Sequence, residues 1–327
     1  MAGISVRLVE MDYSSYVTVA GTQIALDFGS DVGEGESVLA YTVGLSFFQV
    51  RYATDSSESS EDIGQMGVSL VPNQVGNTVY VTVNQLLTDF DGSGASENQD
   101  VNGRNSYVWI TGIAYIGTSL SSQTAIVCTA YDLPGTGTSS PGIAINSSIG
   151  VDNNYFLSGF DVYFSPKGGS AEPNGFSVSA SANISGSTAT LDGKVALDTS
   201  GQSSSGSVDV GFLSTFGVNN YAVKEWSNSW GKASNSNFQT ASLSESFTIP
   251  EGYTQISNAG LLIQKVDLSV GNDHHIQEIG FGVVNNGLTI TGDTVTGTLG
   301  VSMWGDRDGN YYLNSGDLTA YVIVQFA

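Results

Sequence analysis

The strongest constraint on this chain is a repeat. One order of short segments recurs three times, and a chain that repeats a unit builds that unit's structure more than once. The last copy is the clearest. It runs through residues 247–253, 260–268, 276–283 and 293–299, an acidic turn Asp306-Arg307-Asp308-Gly309, and 319–326. The first copy passes the same stations at 32–35, 43–50, 62–70 and 77–83, the turn Asp89-Phe90-Asp91-Gly92, and 107–114. The middle copy is shorter, with counterparts at 159–164, 175–180, 187–191 and 207–213.

Inside each station the side chains alternate, as in Thr78-Val79-Tyr80-Val81-Thr82-Val83. That period puts one face toward a core and the other toward solvent. Turn signals such as Asn286-Gly287, Gly292-Asp293, Asp192-Gly193 and Asp308-Gly309 separate the runs. The 41 glycines, the tyrosines and phenylalanines, and the Val, Ile, Thr and Ser between them are strand and turn chemistry. No segment has a sustained helical period; Gln85-Leu86-Leu87 is the one stretch expected to form a turn of helix. The expected fold is all-β: three tandem, diverged antiparallel β-sandwich, jelly-roll-like repeats. Residues 1–22 read as an N-terminal strand or arm, 23–117, 142–214 and 239–327 as the repeats, and 118–141 and 215–238 as connectors. Copies of roughly 75–95 residues suit small sandwiches.

Charge narrows the partners. Thirty-one acidic residues against nine basic ones give a formal net charge of −22, which repels phosphate backbones and anionic headgroups, so no nucleic-acid binding is expected. Solubility, a high-salt setting, or an assembly that must resist clumping each account for it. The first residues lack a charged region followed by an apolar one, and no run of about 18 apolar residues follows. The expectation is a soluble protein without a signal peptide or membrane insertion. The single cysteine, Cys128, lies in an alternating run and reads as a buried strand thiol.

Catalytic constellations are sparse. His274 and His275 are adjacent, so on a strand they would point to opposite faces. The serines lack a Gly-x-Ser-x-Gly elbow, and no Gly-rich loop opens a helix. Paired carboxylates for glycoside hydrolysis could be drawn from the many acids, but three small sandwiches imply no cleft for them. A non-enzyme is expected. The acidic turns place oxygens at alternate positions, Asp89 and Asp91 in one and Asp306, Asp308 and Asn310 in the other. A hard cation such as calcium favours that spacing, but the glycines fall at the fourth position and no helix flanks either turn as in an EF-hand loop, and Asp-x-Asp-Gly is first of all a good hairpin turn. Calcium is thus the one candidate cofactor, and a chelator-reversible rise in melting temperature is its test. Trp226 and Trp230, in a polar stretch, and Tyr311 and Tyr312 are candidate contacts for sugars or partner proteins. The other reading has each tryptophan plugging a seam between sandwiches.

The third copy resembles H-type lectin domains. The residues that carry the resemblance are 247–253, Val266-Asp267-Leu268, Trp304-Gly305-Asp306 and Tyr321-Val322-Ile323-Val324, joined in the first copy by Tyr107-Val108-Trp109-Ile110. The third copy departs from that pattern in lacking Trp in its closing strand and in an inserted turn at 307–317. The resemblance implies a small sandwich that trimerises and binds sugars at subunit junctions. Two functional expectations follow. One is a structural component of a virion (decoration, baseplate or tail fibre) or of a surface fibre, in contact with copies of itself or with assembly proteins. The other is a carbohydrate-binding lectin or adhesin, and the two overlap where a fibre binds host glycans.

Overall fold

The computed structural model describes residues 3–13, 22–51, 63–89, 106–119, 126–134, 138–139, 143–144, 152–164, 173–199, 205–215, 218–270, 276–305 and 311–327. The first unit contributes β1 (Gly3–Tyr13), β2 (Thr22–Asp27), β3 (Ser37–Arg51), β4 (Ile63–Val75), β5 (Thr78–Asp89) and β6 (Ser106–Gly117). The second contributes β7 (Ile126–Pro134), the short β8 (Thr138–Ser139) and β9 (Ile143–Ala144), β10 (Asp152–Tyr163), β11 (Pro173–Ser185), β12 (Thr188–Thr199) and β13 (Ser205–Thr215). The third contributes β14 (Tyr221–Trp230), β15 (Gln239–Ser246), β16 (Ile256–Ser269), β17 (Glu278–Thr291), β18 (Thr294–Gly305), the short β19 (Tyr311–Tyr312) and β20 (Ser315–Phe326). Among the described residues no helix is long and apolar enough to cross a membrane.

These strands form three antiparallel sheets, and each sheet joins halves of two units. The first sheet runs β1-β6-β3-β17-β18-β15, the second β2-β5-β4-β10-β13-β7, and the third β14-β20-β16-β11-β12-β8. The first unit therefore pairs with the third across β3–β17, with the second across β4–β10, and the second with the third across β11–β16. The exchange is cyclic, so the chain closes on itself in a pseudo-threefold arrangement. Within each unit the two halves face each other as a sandwich.

The ladders fix how the units correspond. A one-residue bulge interrupts β3 at Ser46, β10 at Ser158 and β16 at Gln264, in each case against the closing strand of the same unit. Two positions before each bulge stand Gly44, Phe156 and Leu262. These three meet: a Cβ on Gly44 would lie 2.5 Å from Phe156 Cδ2 and 2.7 Å from Leu262 Cδ2. A glycine at this position leaves room for the two larger side chains at the centre. Around them a separate buried cluster gathers Ile4, Val6, Ile113, Tyr115, Leu213, Tyr221, Tyr321 and Ile323 from β1, β6, β13, β14 and β20, strands of all three units. The bulge serines tie the units together. Ser46 donates to the Leu261 carbonyl (2.6 Å), and Ser158 donates to the Val43 carbonyl (2.7 Å), with Val43 and Leu261 at corresponding positions. A bulge leaves backbone polar groups off the ladder, and here buried hydroxyls bond carbonyls on neighbouring units instead.

Beyond the bulges the junctions carry an aromatic layer. Phe48 pairs with Phe281, Phe160 with Val68, and Val266 with Val178. Phe48 and Phe160 touch at 4.9 Å between ring centroids, and Phe281 lies 5.5 Å from Phe48, 6.0 Å from Phe160 and 6.2 Å from Phe176. All of these side chains are buried. Side chains from three units thus share one core.

Several expectations change. Asp192-Gly193, read as a turn, lies inside β12 opposite Ser181 and Ala180, and Asn286-Gly287 lies inside β17 at a shift of register. Gln85-Leu86-Leu87 is strand, paired with Val68, Gly67 and Met66. Gln85 is buried and donates to the Gln49 carbonyl at 3.0 Å, so a polar residue at an inward position had masked the alternation. The stretches 118–141 and 215–238, read as connectors, hold the strands that open the second and third units, β7 and β14, while β1 opens the first unit within the stretch read as an N-terminal strand or arm. β14 reads poorly as a strand because it is an end strand: after the buried Tyr221 its residues are exposed or only partly buried on either face.

Candidate functional site

The strand registers place three equivalent surfaces at the three junctions, on the face opposite the phenylalanine layer. In the first sheet the row is Trp109–Phe47–Gly282–Gly300. In the second it is Asp209–Gly159–Ser69–Asn84, and in the third Thr319–Lys265–Ser179–Lys194. The next row in the first sheet is Tyr107–Gln49–Gly280–Ser302. One geometry has become aromatic, acidic and amide-bearing, and basic in turn.

The first surface is a cleft of about 370 Å³ whose lining includes Phe47, Gln49, Tyr107, Trp109, Phe238 and Asn285. Phe47 stacks at a tilt on Trp109 (5.4 Å) and on Phe238 (5.8 Å). Phe238 comes from the segment before β15 and lies over the sheet where glycines leave space: a Cβ on Gly280 would sit 2.5 Å from its Cζ. Gly282 allows the closest approach. It has φ +121°, and an added Cβ would strike the Ser46 carbonyl and lie 2.7 Å from Phe47 Cα. The indole N–H of Trp109 is buried and finds no acceptor among the described residues.

A buried carboxylate braces the polar end of this cleft. Glu278, opposite Arg51 in the ladder, accepts from Ser302 Oγ at 3.0 Å and pairs with Arg51 Nε at 3.2 Å. Arg51 lies over the Trp304 ring at 5.2 Å. Burial pushes the Glu278 carboxyl above the ordinary carboxylate range, opposed by the Arg51 charge and by hydrogen bonds that include one from Gln49. Gln49, a cleft residue, is thereby held at its side-chain amide by Glu278 and at its carbonyl by Gln85. Aromatic faces beside a fixed amide can stack on an apolar ring face and hydrogen-bond its hydroxyls.

The residues singled out from the sequence fall elsewhere. Trp226 and Trp230 are half-buried on one face of β14, 6.2 Å apart, packed against the main core. Tyr312 is half-buried opposite Trp304, and Tyr311 pairs with Gly305. Asp89 ends β5, while Asp91, Asp306, Asp308, Asn310, His274 and His275 lie outside the described residues. Cys128 is on β7, as its alternating context indicates. Among the described residues no group of three or more His, Cys, Asp and Glu side chains comes together. Tyr107 and Trp109 belong to the strand that carried the lectin resemblance; Phe47, Gln49 and Phe238 had no sequence signal beyond being apolar or amide residues near strand ends. A scan against protein-family models returned no match, and no curated protein matched the chain.

Proposed function

We propose that this chain is a non-enzymatic structural protein, a component of a virion (decoration, baseplate or tail fibre) or of a surface fibre, that makes subunit contacts through its β-sandwich units. The supporting observation is the cyclic exchange of sheet halves among three units, which locks the chain into a single pseudo-threefold block. The sheets end in β1 and β15, β2 and β7, and β14 and β8. Such end strands offer ladder groups to further copies or to assembly proteins. Light scattering and electron microscopy over a wide concentration range test this. Discrete particles or filaments are expected, and a monomer at every concentration, alone and with its co-expressed neighbours, would refute it.

The aromatic cleft favours a second reading, a carbohydrate-binding lectin or adhesin. Stacking on Phe47, Trp109 and Tyr107 with Gln49 as the polar contact suits a sugar. A glycan array is the measurement. Saturable binding to one glycan class, lost in Gln49→Ala and Trp109→Phe variants that circular dichroism shows to be folded, is expected; binding that survives both would remove the cleft from the reading.

A further inference from the structure

The third-sheet junction concentrates cationic charge in a chain that has little of it. Only nine of 327 residues are Lys or Arg, yet Lys194 and Lys265 stand in one row on either side of Ser179, which pairs with both. Strands about 4.8 Å apart set the two backbones about 10 Å apart, a span that flexible four-carbon stems can close around one small group. Both line an open cleft of about 330 Å³ together with Ser177, Ser179 and Asp267. Gly175, Ala196 and Leu197 complete a shallow, partly apolar wall.

The fold does not require these lysines. The corresponding positions hold Phe47 and Gly300 in the first sheet and Gly159 and Asn84 in the second, in the same register. Nearby carboxylates neutralise the pair only in part. Asp267 Oδ2 lies 3.8 Å from Lys265 Nζ, with both side chains more than two-fifths exposed, so the ion pair is loosely held. Asp317, opposite Asp267 in the ladder, accepts a short hydrogen bond from Ser229 Oγ. Among the described residues Lys194 makes no ion pair.

We infer that this cleft binds an acidic sugar by its carboxylate or sulfate group. Lys194 and Lys265 face the anion, Ser177 and Ser179 donate hydroxyl hydrogen bonds to its oxygens, and Asp267 accepts from a sugar hydroxyl. The inference rests on the carbohydrate reading for the sugar but not for the site, which lies at a different junction from the aromatic cleft.

The test is calorimetric titration of the full chain with N-acetylneuraminic acid, glucose 6-sulfate and neutral glucose, each with and without inorganic sulfate as competitor. The acidic sugars should bind saturably and glucose should not, inorganic sulfate should compete, and added sodium chloride should weaken binding. Lys194→Ala and Lys265→Ala should each weaken it about tenfold with unchanged melting. Trp109→Phe should leave it unchanged, which separates this site from the aromatic cleft. Failure of both acidic sugars to bind, failure of sulfate to compete, or binding that both lysine variants retain would overturn the inference.

Discussion

Phe48→Ala probes whether the three units behave as one cooperative body. The ring is fully buried, touches Phe160 and Phe281, and sits where side chains from different units meet. Removing a buried Phe costs about 3–5 kcal/mol, of which aromatic pairing supplies about 0.5–1.5. The resulting fall in melting temperature depends on how much of the chain melts with it. At about 2.1 cal/mol/K per residue, the 327-residue chain has an unfolding entropy of about 0.7 kcal/mol/K. A loss of 3–5 kcal/mol then lowers a single melting transition by about 4–7 °C. If the first unit melted alone, the same loss would act on about a third of that entropy and move one transition roughly three times as far. Calorimetry with circular dichroism decides between them. One transition that shifts modestly and coincides by both probes is expected; a split profile in which only one component moves by more than about 12 °C would refute the shared core.

Gly282→Ala meets both a positive φ and the Ser46 carbonyl, whereas Gly76→Ala meets only a positive φ with open space around it; urea melts should show a loss of about 1 kcal/mol for Gly76→Ala and at least twice that for Gly282→Ala. Ser158→Ala should cost about 1–3 kcal/mol by leaving the buried Val43 carbonyl without its hydroxyl donor, a loss absent from Ser181→Ala, whose hydroxyl is exposed. Glu278 has a folded-state pKa raised above 4.5. Its contribution to stability is therefore intact below about pH 4.5 and declines as pH rises through the folded-state value. Glu278→Gln should gain stability relative to the native chain as pH increases across that window, measured by urea unfolding; a gap that moves the other way would mean that Arg51 outweighs burial.

Much of the strand order was legible from the repeat, because its stations fall on β3–β6, β10–β13, β16–β18 and β20, several of them joined by hairpin turns. Val75-Gly76-Asn77-Thr78, Ser185-Gly186-Ser187-Thr188 and Thr291-Gly292-Asp293-Thr294 recur with glycine at φ +62°, +59° and +63°. Glycine first and a polar residue second is the type II′ signature of a two-residue hairpin. The opening strands were harder to read. β14 is an end strand with side chains exposed or only partly buried after Tyr221, and β8 and β9 are two residues each. The exchange of halves was illegible because alternation reports which face is buried and says nothing about which strand lies alongside. The same limit hid the aromatic cleft. Phe47 and Phe238 are far apart in the chain, and only the β3–β17 junction and the glycines beneath Phe238 bring them together.

The joining of the first and last units also has a temporal side. One flank of β3 pairs with β6 of its own unit, but the other finds its neighbour only in β17, more than two-thirds of the way along the chain. At synthesis rates of about 5–20 residues per second, that flank of β3 waits on the order of ten seconds to a minute for its partner to emerge. During that wait a long apolar strand holding Phe47, Phe48 and Val50 has an open flank, able to pair with the same segment of another nascent chain. Expression yield should therefore depend on how quickly the C-terminal third follows the N-terminal third out of the ribosome, and chains cut before β17 should accumulate as aggregates rather than as a folded first unit.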